Sequence, residues 1–150
     1  MEELFNELQR RIAEKLNSDL SLIDEDYGQL DALMNGEDMY PVTFPCVLIS
    51  TPTTKWETLQ TNVQQGKLTL SVRLAFDCYD DTHYGSTQEG KATERMQKTS
   101  HLNGCIHGWR LQGCTSSLLR TESRDYSLPG GIKVYEQTYT ATVIEKIKRE

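Results

Sequence analysis

A chain of 150 residues with 25% charged side chains and a formal net charge of −6 is long enough to bury a sizeable core as one domain. A mean hydropathy of −0.58, with no apolar run near the ~18 residues of a bilayer span, excludes a helical membrane protein. The opening "MEELFNELQR" starts acidic and lacks the basic-then-apolar order of a signal peptide, so the expected compartment is a cytoplasm, where Cys46, Cys78, Cys105 and Cys114 stay reduced.

In chain order, Leu4, Phe5, Leu8, Ile12 and Leu16 recur at three- and four-residue steps, one apolar stripe of a helix that "NSD" at 17–19 ends. The stretch from Leu20 to Met34 has no clean period and reads as extended segments with a short helical turn, followed by the loop "MNGEDMYP". "FPCVLIS" is a short continuous apolar run, the pattern of a strand covered on both faces. "TPTTKWETLQTNVQQG" reads as a polar connection carrying Trp56. In "GKLTLSVRLAFDCYDD" the even positions from Leu68 to Cys78 are apolar and the odd ones polar, with Ala75 as exception. That alternation predicts a long strand with one dry face, about 11–13 residues against the usual 5–6, running out past its domain at "DCYDD".

Helical spacing returns over "YGSTQEGKATERMQKTSHLNGCIHG", with Ala92, Met96 and Leu102 or Ile106 facing in. Ser86 with Glu89 forms a capping-box start, and Gly104 is the expected stop. "CTSSLLRTESRDYSLPGGIKVYEQTYTATVIE" then predicts two strands joined by "LPGG". The expected fold is α+β: two helices packed on a mainly antiparallel sheet, in the order α-β-β-α-β-β.

Charge is unevenly placed. Residues 1–40 hold eleven acids and three bases, a net −8, whereas residues 41–150 hold eleven acids and thirteen bases. Tight binding of nucleic acid depends on Lys and Arg neutralising phosphates, so this balance argues against it. It suits a surface that repels DNA or meets a basic partner.

Candidate chemistry centres on Asp77, Asp80, Asp81 and His83, a set that could hold Mg²⁺ or act as acid and base in a small enzyme or ligand-binding domain. No phosphate loop accompanies them: before "GK" at 66–67 the required earlier glycine is Thr61. Asp24, Asp26 and Gly28 miss the calcium-loop spacing by one place. Cys78, His83, His101, Cys105, His107 and Cys114 could make a zinc-stabilised interaction module, but their spacings are not those of a zinc knuckle. Aspartates just past a strand are ordinary turn residues. The expectation is therefore no catalytic residues, no metal and no cofactor. Trp56, Trp109, Tyr126, Tyr135 and Tyr139 are either core or contact anchors. A strand that overruns a small core points to assembly, and the loop 77–85, with Asp77, Asp80, Asp81 and Tyr84, and the strand carrying Tyr135 and Tyr139 are the candidate self-association surfaces.

The succession of an amphipathic helix, "YPVTFPCVLIST", a tryptophan, "QQGKLTLSVRLAFDCYD", a helix opened by Ser86 and the closing "VYEQTYTATV" strand resembles the tail-terminator, or tail-completion, proteins of phages and prophages. That resemblance implies an α+β structural subunit, not an enzyme, that closes into a hexameric ring. It implies a ring that caps the tail tube, ends tube growth and joins the tail to the head connector, with DNA passing through unbound. It also implies assembly in a bacterial host cytoplasm and a place in the virion tail, away from membranes.

Overall fold

The long alternating strand is the spine of the molecule. In the computed structural model, which describes residues 2–16, 20–34, 42–78 and 90–148, it is β4, Val63–Asp77. Over its whole length it pairs antiparallel with β6, Ile132–Lys146, from Val63↔Lys146 to Asp77↔Ile132. The remaining described elements are α1 (Glu2–Leu16), β1 (Leu22–Glu25), α2 (Gln29–Met34), β2 (Cys46–Ile49), β3 (Thr53–Gln60), α3 (Gly90–Ile106) and β5 (Leu119–Leu128). The sheet runs β1-β2-β4-β6-β5, with β3 on β4, and only β1–β2 is parallel. The fold is α+β with three helices and a six-stranded, mostly antiparallel sheet among the described residues.

Because side chains alternate, each strand serves two layers. Leu68, Leu70, Val72, Leu74 and Phe76 meet Leu4, Leu8, Ile12 and Leu16 of α1 and Leu102, Cys105 and Ile106 of α3 in the main core. Leu8 and Ile12 have no exposed surface, and burial of that kind contributes about 1.5–3 kcal/mol per side chain. The opposite face of the sheet carries a smaller core, where Cys46, Leu48, Ala75, Ile132 and Val134 pack with Leu30 of α2. Ala75 is thus no break in the pattern; it is the contact point of the second layer. The four residues of β2 are all buried, as a continuous apolar run requires.

On that second face Arg73 anchors a polar network. Its Nε donates to Asp26 Oδ2 at 2.9 Å, with Nη2 at 2.8 Å from the same oxygen. Its Nη1 donates to the Tyr126 hydroxyl at 3.3 Å, which in turn donates to Glu136 Oε1 at 3.2 Å. Burial disfavours the guanidinium, but Tyr126 and the Asp26 carboxylate more than offset this, and the net effect holds its pKa above the ordinary value. The main core has its own polar member in Gln137, whose Oε1 accepts from Arg120 Nη1 at 3.0 Å and Ser123 Oγ at 2.9 Å.

Several expectations need correction. The order α-β-β-α-β-β omits β1, α2 and β3, and the helix count of two omits α2. α1 and α3 form the predicted helical layer, whereas α2, six residues long, sits on the other face. "TPTTKWETLQ" is a strand, not a connection; it shows no alternation because it is exposed at seven of its eight positions. Gly104 lies inside α3. The stop is Gly108, whose φ of +83° is the left-handed conformation that glycine adopts without a Cβ clash. Met96 is 61% exposed and does not face in. The capping pair Ser86–Glu89 lies outside the described residues.

Candidate interaction surfaces

The strand does overrun its core, but at the other end. Phe76 is still buried, whereas from Gly66 back to Val63 β4 leaves the helical layer together with the end of β6 and with β3. These three strands form a tongue. Thr61 and Asn62 join β3 to β4 at its tip, and the Ile147 amide closes it by donating to the Asn62 carbonyl at 2.7 Å.

The two faces of the tongue follow from register. Trp56 pairs with Gly66, which pairs with Val143, so these share the face that leads into the main core. A Cβ at Gly66 would stand 2.6 Å from Thr54 Cγ2 and 2.8 Å from the Trp56 ring. The indole therefore lies directly on the glycine, which has to be glycine to admit it. Trp56 remains 43% exposed, and Leu59 and Ile144 are exposed on the same tongue. On the other face Lys55 pairs with Lys67, and Lys67 with Thr142. Lys55, Glu57, Gln65, Lys67, Leu119, Thr140 and Thr142 line a groove of about 330 Å³ there.

A second surface lies at the β1 end of the sheet. Asp24, Glu25 and Asp26 follow one another there, with exposed Tyr27 just beyond and Asp31 exposed on α2. The Asp24 carboxylate, then burial and Glu25, hold the Tyr27 hydroxyl above its ordinary value, the signature of a local negative field. Between α1 and the end of β2 a largely apolar cavity of about 320 Å³ is lined by Leu4, Phe5, Ile49, Pro52 and Glu25.

Of the residues singled out from sequence, Asp77 is exposed at the end of β4, opposite Ile132. Asp80, Asp81, His83 and Tyr84 lie outside the described residues. Tyr135 and Tyr139 are not surface anchors. Tyr139 is fully buried and its hydroxyl donates to Asn103 Oδ1 at 2.9 Å. Tyr135, 4% exposed, stands edge-on to Phe76 with ring centroids 5.9 Å apart. Their strand is also enclosed between β4 and β5, so it offers no edge. Trp109 is likewise occupied within the chain, with the Arg11 guanidinium 4.7 Å from its ring centroid.

Among the described residues the cysteines and histidines do not converge on one site. Cys105 and Cys114 are core residues, burial raises both thiol pKa values, and His107 Nδ1 accepts the Arg120 amide at 3.0 Å. Among the described residues no three His, Cys, Asp or Glu side chains are grouped to hold a metal. The tongue and the Lys55/Lys67 pair went unread in the sequence because wet-on-both-faces strands carry no hydrophobic period. The available signal was a gap of two residues, Thr61 and Asn62, between two β-rich runs, with Asn62 the one turn-favouring residue in it.

No protein-family model matches this chain, and no curated protein matches it. Among solved structures it is similar in fold to a chain of the virion of a native gene transfer agent (GTA) particle, with a TM-score of 0.57 at 10% identity, over 91% of this chain and 94% of that one.

Proposed function

We propose that this chain is a structural subunit of a phage-like virion, and specifically a tail terminator. In this reading it acts as a single tail-terminator-like domain. Six copies close into a ring that caps the tail tube, ends its polymerisation and joins the tail to the head connector, with DNA passing through the lumen unbound. Assembly takes place in the bacterial host cytoplasm and the product resides in the virion tail. The observation that carries the reading is the likeness in fold to a virion chain over nine-tenths of both chains.

Two features of the molecule support it. The tongue carries the exposed apolar side chains of Trp56, Leu59 and Ile144, as expected of a surface kept for contact. The acidic character of residues 1–40 suits a lumen that must let a polyanion slide. The test is electron microscopy of the purified protein, alone at high concentration and mixed with assembled tail tubes. Rings, or tubes closed at one end and arrested in growth, are the expected result. Monomers under both conditions, with turnover of a small substrate that Asp80→Asn abolishes, would replace this reading with an enzyme using Asp77, Asp80, Asp81 and His83.

A further inference from the structure

Lys55 and Lys67 are direct cross-strand partners on one face of the tongue. Like charges set opposite each other in a ladder destabilise it, so two exposed lysines at one rung call for an explanation. Neither forms an ion pair among the described residues. Register puts Lys146 on the same face, four residues from Thr142. Within the tongue, where β3 faces Val63–Lys67 of β4 and Thr142–Lys146 of β6, Glu57 is the one acid that register places on this face, so three lysines stand against one carboxylate there. Apolar Ile144 and Leu119 lie between and beside them, both exposed. The face is basic and partly apolar.

The same chain carries the complement. Residues 20–34 contain Asp24, Glu25, Asp26 and Asp31 and no lysine or arginine. Asp26 is neutralised by Arg73, but Asp24, Glu25 and Asp31 form no ion pair among the described residues. β1, which carries two of them, pairs only with β2 among the described strands and ends the sheet. The basic face and the acidic end are different patches of one molecule, and contacts between unlike patches of identical subunits run head to tail.

We infer that the Lys55/Lys67/Lys146 face of one copy docks on the Asp24/Glu25/Asp31 end of the next copy of this chain. This rests on the reading of the chain as a self-assembling subunit and names the surfaces that would join. A second copy is favoured over nucleic acid as the occupant because a formal charge of −6 repels a polyanion at long range, whereas the acidic end of another copy presents a local match.

The test has two arms. In the first, ¹⁴N- and ¹⁵N-labelled protein are mixed at high concentration and treated with a zero-length carbodiimide, which joins lysine to a carboxylate in contact. Mixed-isotope peptides linking Lys55 or Lys67 to Asp24, Glu25 or Asp31 are expected. In the second, Lys55→Glu/Lys67→Glu is expected to weaken self-association about tenfold or more, and an equimolar Asp24→Lys/Asp31→Lys variant to restore it. The lysine variant should melt with the parent, since Lys55 and Lys67 are exposed, whereas Asp24→Lys also removes the carboxylate that accepts the Glu25 amide at 2.8 Å, so the melt of the acid-end variant is measured alongside its assembly. Wild-type rings with no such cross-links, or a lysine variant that assembles like the parent, would overturn these docking surfaces and leave the ring reading intact. A wild-type chain that stays monomeric with and without tubes would overturn both. Loss of duplex DNA binding in the lysine variant, with assembly unchanged, would assign the lysines to phosphate and overturn the inference.

Discussion

Replacing Arg73 by methionine tests whether the polar network on the second face holds β1, β4, β5 and β6 together. The Arg73 and Asp26 side chains are 13% and 15% exposed, and they meet at 2.8 Å. Methionine keeps most of the aliphatic stem but removes the charge, leaving Asp26 a carboxylate short of its partner in a largely dry site. Stranding one member of a buried pair costs about 3 kcal/mol at the lower end of the usual range, and the residual exposure here argues for that end. For a chain of this size, this lowers the melting temperature by roughly 6–12 °C. Asp26→Asn should cost less, about 1–2 kcal/mol, because Arg73 keeps the Tyr126 hydroxyl and the amide can still accept from Gly28 N–H, now at 3.0 Å. In Arg73→Met/Asp26→Asn no charge is stranded, so the double variant should be more stable than the sum of the singles by about 1 kcal/mol or more. The assay is thermal and urea unfolding of all four proteins by circular dichroism. If Arg73→Met lies within about 0.5 kcal/mol of the parent, or the two changes simply add, the network is not a structural tie.

Leu74→Asp, placing a carboxylate among residues of the main core where Leu74 is 1% exposed, should cost several kcal/mol and abolish a cooperative melt; retention of the parental transition would mean that the strand faces have been assigned in reverse. Gly66→Ala should displace the Trp56 ring, destabilise by about 1–2 kcal/mol and shift tryptophan emission to the red, while unchanged emission would show that the indole does not rest on the glycine. Burial pushes the Cys46 thiol up to about 12, against the ordinary 9.0. The native state thus holds a proton that the unfolded chain gives up between those values, and stability should fall as pH rises from 9 toward 12. Cys46→Ala should flatten that fall, measured as urea midpoints across the alkaline range, and an identical slope in the variant would refute the assignment.

What was legible in the sequence was what has a single dry face. The α1 stripe, the alternation of Leu68 to Phe76 and the Val/Tyr/Thr-rich β6 each bury one side against helices, so their periods survive intact in the residue order. β3 buries almost nothing and therefore left no period to read, and with it went the tongue and the lysine pair. Met96 and Tyr139 show the converse difficulty. Met96 faces water because it stands six, nine and ten residues before the buried Leu102, Cys105 and Ile106, steps that turn it roughly 80–180° away from their face. Tyr139 looked like a contact residue for its polar tip, but Asn103, on a helix distant in sequence, satisfies that tip inside the core. Such long-range partners cannot be seen along the chain.

The pairing of β4 with β6 also sets how this protein comes into being. Every rung of that ladder joins residues from fifty-five to eighty-three positions apart. β6 is an inner strand of the sheet although it is the last element in chain order, so β5 has no place to attach, and the dry face of β4 no completed layer, until it arrives. Closing loops of that length precedes any gain from the contacts they bring, which makes folding slow for a chain of this size. On the ribosome the apolar row from Leu68 to Phe76 must wait, unpaired on one side, for some seventy further residues to be synthesised. A chain whose inner strand is made after its neighbours keeps its core open until that strand docks, so the order of synthesis sets when the fold can close.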